Sequence, residues 1–134
     1  MAEPLALHHV SLSVHDLDRS LGFWEGVLGL ERLPRPEMSV QGVWLGIGAA
    51  QVHLIVFDPR RGDVGTTPGS INPAAAHVAF QVADYTDTVT RLRAAGLEVL
   101  ETNAARGQCW VRDPDGHVVE FIQLGGNLAG VVPS

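Results

Sequence analysis

The stretch His9-Val10-Ser11-Leu12-Ser13-Val14 returns 77 − 9 = 68 residues later as His77-Val78-Ala79-Phe80-Gln81-Val82. Both stretches begin with histidine, and their apolar residues then recur at every second position. This is the period of a β-strand with one buried face. A repeat at a fixed spacing marks structurally equivalent positions, so the sequence predicts two copies of one module.

The residues after each of these strands also match. Asp16 and Asp84, again 68 apart, can accept hydrogen bonds from the free N–H groups that begin a helix. Gly29 and Gly96 can end the two helices. Between these signals, apolar residues follow the spacing of one helical face, at Leu17, Leu21, Trp24 and Leu28 in the first copy and at Tyr85, Val89 and Leu92 in the second.

The rest of each copy reads as short strands. They are predicted at residues 42–47, 51–57, 98–101, 108–112 and 118–124. Residues 58–73 are rich in Pro, Gly and small polar residues, and we predict a linker there, with module one at 5–57 and module two at 74–125. At about sixteen residues the linker is longer than most structureless connections, so we expect a mobile segment or a cover over a site.

Composition excludes several classes of partner. The net charge is −6 and no run of Lys or Arg is present, so neither nucleic acid nor an anionic membrane surface is expected to bind. No apolar stretch is long enough to span a bilayer. A single cysteine, Cys109, cannot form an internal disulfide, and no secretory signal is seen. We expect a soluble, cytoplasmic protein.

Four polar residues begin equivalent strand faces. His9 and His77 open the first strand of each module, and His53 and Glu120 lie 67 apart in the last strands. If the modules pair, all four converge on one divalent ion. Imidazole and carboxylate ligands suit Zn, Ni, Co, Fe or Mn, among which the sequence does not choose. A metal with open positions implies catalysis or ligand capture.

These motifs resemble the vicinal oxygen chelate superfamily, which includes glyoxalase I, epimerases, extradiol dioxygenases, fosfomycin-modifying thiol transferases and bleomycin-binding proteins. The resemblance runs from residue 7 to 124, and its most specific segments are 9–20, 27–30, 52–55, 76–84 and 112–121. It implies a single domain over residues 1–134 with an α+β fold. Two tandem βαβββ modules would form a cup-shaped, partly open mixed β-barrel with helices outside, and the protein would be a homodimer.

The resemblance also assigns roles to the four residues. His9, His77 and Glu120 fall on the family's His, His and Glu ligand positions. His53 lies where glyoxalase-like members carry Glu and epimerase-like members Gln, so the usual carboxylate base is missing. A neutral imidazole must then replace that base, or another group must serve. His53 is a candidate ligand or proton shuttle, and Glu120 is the second candidate catalytic group. Candidate residues of the substrate pocket are Ser11, Trp44, Gln81, Arg106 and Trp110.

We therefore expect a glyoxalase-like lyase or isomerase that acts on a small carbonyl compound or its thiol adduct by metal-stabilised proton transfer. One alternative is a non-catalytic protein that binds an antibiotic or other small molecule, with Trp44 and Trp110 stacking on it. Another is an Fe(II) extradiol-type dioxygenase, although family dioxygenases are generally longer. Turnover of a substrate would exclude pure sequestration.

Other conspicuous residues have structural explanations. Trp24 and Cys109 are expected in the core. His8, His15 and His117 are expected to be solvated or structural. Three arginines in predicted loops could bind a substrate carboxylate, but a solvated surface position is at least as common for each, namely Arg35, Arg61 and Arg106.

Overall fold

The computed structural model describes residues 1–125. The chain divides into two compact units, Met1–Thr66 and Thr67–Ser134, called module one and module two below. The boundary between them falls inside the predicted linker.

Module one contains one four-stranded sheet, with a helical segment between its first two strands. β1 spans His9–Val14, β2 Glu31–Leu33, β3 Gly42–Ile47 and β4 Ala50–Val56. The sheet has the order β1-β4-β3-β2, with β1 parallel to β4 and the other neighbours antiparallel. The sequence did not predict β2, because three residues are too few to show an alternating pattern.

The first helix differs from the prediction. A regular helix, α1, covers only Leu17–Leu21, and a π-helix follows over Gly22–Val27. In the π-helical turn the N–H of Leu28 bonds to the carbonyl of Phe23, five residues back, at 3.0 Å. The wider π-helical turn changes which residues share one face of the helix. Glycine at positions 22 and 26 weakens the regular helix. Of the stripe Leu17, Leu21, Trp24 and Leu28, only Trp24 is fully buried, and its buried companions are Ser20 and Phe23.

Module two repeats this order with a regular helix. Its elements are β5 at His77–Val82, α2 at Tyr85–Ala94, β6 at Leu100–Asn103, β7 at Gln108–Arg112 and β8 at Val118–Gln123. The sheet order is β5-β8-β7-β6, with β5 parallel to β8. The prediction of an α+β fold built from two such modules is confirmed.

The ends of α2 follow the predicted signals. The Asp84 side chain accepts from the N–H of Asp87, and the predicted stripe of Tyr85, Val89 and Leu92 is buried. At the other end Gly96 has a φ of 83°, and the N–H of Leu97 bonds back to the carbonyl of Leu92 at 3.2 Å. This closing turn delays the next strand, which is why β6 begins at residue 100 rather than at 98.

The part of the predicted linker that belongs to module two is anchored. Thr67 Oγ1 donates to the carbonyl of Asp115 at 2.7 Å, and Arg112 Nη1 donates to the carbonyl of Pro68 at 3.0 Å. Both contacts lie at the hairpin between β7 and β8. The module-one part carries a 3₁₀ turn at Pro59–Arg61. In residues 1–125 no helix has the length and apolar character needed to cross a membrane.

Candidate functional site

The register of each sheet places the predicted site residues in equivalent rows. In module one, His53 on β4 pairs with Ser11 on β1 and with Trp44 on β3. In module two, Glu120 on β8 pairs in the same way with Ala79 on β5 and with Trp110 on β7. His9 lies two residues before Ser11 on β1, and His77 lies two residues before Ala79 on β5. Each histidine therefore shares the strand face of that residue. The duplication in the sequence is therefore a duplication of site geometry within each sheet.

The module-one site is a stack of aromatic rings. The rings of His9 and His53 are nearly parallel at a centroid distance of 4.0 Å, and the Trp44 ring lies on His53 at 4.6 Å. His8 Nδ1 is 2.8 Å from His9 Nδ1, so His8, predicted to be solvated or structural, contacts a candidate ligand. His53 has only 7% of its surface exposed. The stack therefore restricts rotation of the His53 ring.

The neutral form of His53 is favoured. Burial lowers its pKa below the ordinary value of 6.5, and the nearby charges of His9, His8 and Arg35 act in the same direction. Its Nε2–H donates to Gln51 Oε1 at 2.8 Å. The lone pair of neutral His53 is then on Nδ1. Nδ1 is therefore the atom available to a metal or a substrate proton.

The module-two site pairs an imidazole with a carboxylate. His77 Nε2 is 3.2 Å from Glu120 Oε1, and Glu120 is 5% exposed. His77 Nδ1–H donates to the carbonyl of Ala75 at 2.7 Å, so Nε2 is the ring nitrogen that faces the carboxylate. Trp110 contacts His77 edge to face at 4.8 Å. Two atoms of the metal-ligating type thus face one another.

A chain of hydrogen bonds holds the second oxygen of Glu120. Gln108 Nε2 donates to Glu120 Oε2 at 2.7 Å, and Thr102 Oγ1 donates to Gln108 Oε1 at 3.4 Å. Trp110 Nε1 in turn donates to Thr102 Oγ1 at 2.9 Å. Sequence reasoning missed Gln108 and Thr102. The one available signal was that Gln108 precedes Trp110 by two residues and so shares its strand face.

The other pocket candidates lie at different places. Ser11 is exposed beside His53, and Gln81 is exposed two residues beyond Ala79. Arg106 instead lines a pocket of about 190 Å³, together with Tyr85, Thr86, Ala104, Ala105, Gly107 and Gln123. Gln123 pairs with Val82 at the end of β5, whereas His77 begins that strand. Arg106 is therefore at the opposite end of its sheet from the His77–Glu120 pair.

The structure brings the predicted ligands together as two pairs. No three His, Cys, Asp or Glu side chains in residues 1–125 are placed to hold one metal ion together. The donor chemistry fits a borderline divalent metal, since each pair contains a buried member and the donors are imidazole nitrogens and a carboxylate oxygen. The four-ligand site stays a prediction.

The chain is similar to known proteins in both sequence and fold. The sequence pattern of the Glyoxalase/Bleomycin resistance protein/Dioxygenase superfamily matches residues 6–121. The chain belongs to this superfamily. Its fold agrees with the solved structure of a glyoxalase family protein from Bacillus anthracis, at a TM-score of 0.74 and 22% identity, with 92% of this chain and 98% of the other covered.

Three relatives have similar sequence identity to this chain. The chain is 31% identical to the lactoylglutathione lyase of Haemophilus influenzae, over 92% of this chain and 96% of that enzyme. It is 33% identical to the glutathione transferase FosA of Serratia marcescens, over 87% of this chain and 79% of that one. It is 30% identical to the lactoylglutathione lyase GLX1 of Arabidopsis thaliana, but spans only 44% of its length.

Proposed function

We propose that the protein is a divalent-metal-dependent, glyoxalase-like lyase or isomerase that acts on a small carbonyl compound or its thiol adduct. The observation that carries this proposal is the His77–Glu120 pair. Each partner is oriented by a further hydrogen bond, His77 by the Ala75 carbonyl and Glu120 by Gln108. Outer partners of this kind fix the ring orientation and tautomer of metal ligands.

The ligand set of the proposal is His9, His53, His77 and Glu120. A divalent ion bound there would polarise a substrate carbonyl and stabilise the negative charge that develops when a neighbouring carbon loses its proton. The chain supplies the orientation of the donors. His77 offers Nε2, and Glu120 offers Oε1 because its other oxygen is engaged by Gln108.

His53 is the proposed proton acceptor when it is not itself bound to metal. Its depressed pKa keeps the imidazole neutral near pH 7, and its unprotonated Nδ1 can take a proton. Trp44 on one side and His9 on the other hold the ring in place. The names of the relatives support a thiol adduct as substrate, since lactoylglutathione lyases and a glutathione transferase are among them.

The test combines metal content with turnover. Full-length protein purified without a tag or chelator is analysed by plasma mass spectrometry, beside a His77→Ala, Glu120→Gln double variant. About one equivalent of metal in the wild type, lost in the double variant, is the expected result. A matched control, His15→Ala with Glu98→Gln, changes the same residue types at exposed positions and should keep its metal.

Turnover is then assayed on adducts of 2-oxoaldehydes with small thiols, after reloading with Zn, Ni, Co, Fe or Mn. Failure to hold any of these metals would sink the proposal and favour a non-catalytic antibiotic-binding role. Oxygen-dependent ring cleavage of a catechol would favour the dioxygenase alternative instead. The expected homodimer and cytoplasmic location stay predictions, for solution mass and fractionation to test.

A further inference from the structure

Arg35, in the loop between β2 and β3, has an incomplete set of partners. Its Nη2 donates to the carbonyl of Val40 at 2.7 Å. Its Nε is buried and has no acceptor, and the ion pairs found in residues 1–125 do not include Arg35. A buried N–H without an acceptor costs stability, and buried guanidinium groups are normally paired with an anion. The described chain therefore supplies neither an acceptor for the Nε–H of Arg35 nor a carboxylate to pair with its charge.

The Arg35 guanidinium lies next to Gly42. A Cβ atom at Gly42 would collide first with the backbone carbonyl oxygen of Leu54, and it would also lie 3.2 Å from Arg35 Nη2 and 3.4 Å from its Cζ. Gly42 precedes Trp44 by two residues on β3 and so belongs to the same sheet face. The Trp44 ring stacks on His53. Arg35 thus lies on the face of module one that carries the candidate site, and its charge is among those that lower the pKa of His53.

Module two has a larger residue at the position equivalent to Gly42. Gly42 pairs with Ile55 in module one, and its repeat counterpart Gln108 pairs with Ile122 in module two. Gln108 uses its side chain to bind Glu120. In module one that side chain is missing, and the loop residue Arg35 takes its place. One module thus has an amide bound to a carboxylate, whereas the other has a guanidinium on the face that carries the His9 and His53 rings.

We propose that Arg35 binds an anionic group of the substrate, a carboxylate or a phosphate-type oxyanion, on the face of module one that carries His53. The inference deepens the proposed function and rests on it in one respect, that this face receives the substrate. The planar guanidinium presents several N–H donors in a fork that matches two oxygens of an oxyanion. The Nε–H is covered in this structure, so the half-buried side chain has to shift before that donor can meet the anion.

Anion titrations of the full chain test the proposal. Inorganic phosphate and acetate are added separately to protein with its metal and to protein freed of metal by chelation, and the imidazole signals are followed by NMR. The metal-free titration isolates Arg35 from direct binding of the anion to a metal. We expect saturable shifts of the His9 and His53 rings. The stronger of the two anions identifies the oxyanion type.

Three variants decide the role of Arg35. Arg35→Met should weaken anion binding by roughly tenfold or more, the scale of a lost charge-assisted hydrogen bond. Arg35→Lys keeps the charge without the fork and should fall between Arg35→Met and the wild type. Arg60→Met removes an exposed arginine paired with Asp58 in the same module and should bind as the wild type does. Backbone amide spectra verify folding, and Arg35→Lys carries the test if Arg35→Met does not fold.

Equal anion binding by Arg35→Met and the wild type, or no saturable binding of either anion, overturns the proposal. The outcome is separable from that of the proposed function, because the metal-free titration needs neither metal nor turnover. Normal turnover without Arg35-dependent anion binding would leave the enzyme function intact and remove this inference. Arg35-dependent anion binding in a chain that holds no metal would keep this inference and remove the proposed metal-dependent function.

Discussion

Gln108 Nε2 donates a 2.7 Å hydrogen bond to Glu120 Oε2, while Glu120 Oε1 lies 3.2 Å from His77 Nε2. The two carboxylate oxygens thus have different partners, one structural and one of the metal-ligating type. Partners outside the ligand shell fix the orientation of metal ligands, and their loss lowers metal affinity. By holding Oε2, Gln108 is placed to leave only Oε1 of Glu120 for a metal ion.

Replacing Gln108 should weaken metal binding while sparing the ligands. For Gln108→Leu we expect a loss of metal affinity of about 10- to 100-fold, the range found for outer partners of metal ligands. Competition with a chromophoric chelator measures it. Gln81→Leu, at an exposed position of β5 in the same sheet, is the matched control and should bind metal normally. Equal affinities for Gln108→Leu and the wild type would rule out the orienting role.

The pKa of His53 predicts how stability depends on pH. It is lowered in the folded state from an ordinary value of 6.5, so below pH 6.5 the unfolded chain takes up a proton that the folded chain resists. The free energy of unfolding should therefore fall as pH drops through 6.5 and level off below the folded pKa. Urea denaturation of metal-free protein at pH 7.5 and pH 5 measures this loss.

The comparison variant for this pH effect is His53→Gln, which keeps a polar side chain and removes the titration. It should lose less stability on acidification than the wild type. His15→Gln, at an exposed position outside the ring stack, should retain the full pH dependence. The assignment to His53 fails if His53→Gln and the wild type show the same slope between the two pH values.

Most of the fold was predictable because the chain is duplicated. The His9 and His77 strands, the Asp16 and Asp84 caps and the closing glycines carry local signals that need no partner, and the copies reinforce one another. The π-helix after Leu21 was not predictable. Apolar spacing fits a regular helix there, and the choice of a wider turn depends on how Phe23 and Trp24 pack in the core.

The candidate site was predictable as residues but not as contacts. Strand alternation was enough to place His53 and Glu120 on the same faces as His9 and His77. It gave no indication that Gln51 and Gln108 would bind two of them, because those contacts depend on sheet order and side-chain reach. Arg35 shows the same limit, since the space above Gly42 that receives it exists only in the folded sheet.

Cys109 should be unreactive in the folded protein. It is fully buried, and burial raises the pKa of its thiol to about 11. At pH 8 almost none of it is thiolate, the form that reacts with maleimides or aromatic disulfides. Native protein should react only as fast as it unfolds, whereas protein in urea should react at once. Rapid modification under native conditions would contradict the buried position.

The Gly116 turn offers a test of how the linker is anchored to module two. Gly116 has a φ of 89° and Gly29 a φ of 71°, so alanine at either position incurs left-handed strain of roughly 1 kcal/mol. A Cβ at Gly29 meets nothing, but at Gly116 it collides with the Thr67 hydroxyl. That hydroxyl donates to Asp115, so Gly116→Ala should cost roughly 1 kcal/mol more than Gly29→Ala, the worth of one hydrogen bond.

Coupling to Thr67 distinguishes the collision from the backbone strain. In a Thr67→Ala background the obstructing hydroxyl is already gone and only the Cβ of residue 67, 3.1 Å from the new Cβ, stays close. Adding Gly116→Ala should then cost little more than Gly29→Ala does. Urea denaturation of the four proteins in this cycle gives the interaction energy directly. Additive effects would mean that Thr67 yields freely to the new methyl group. The hydrogen bond to Asp115 would then contribute little to holding the linker against the β7–β8 hairpin.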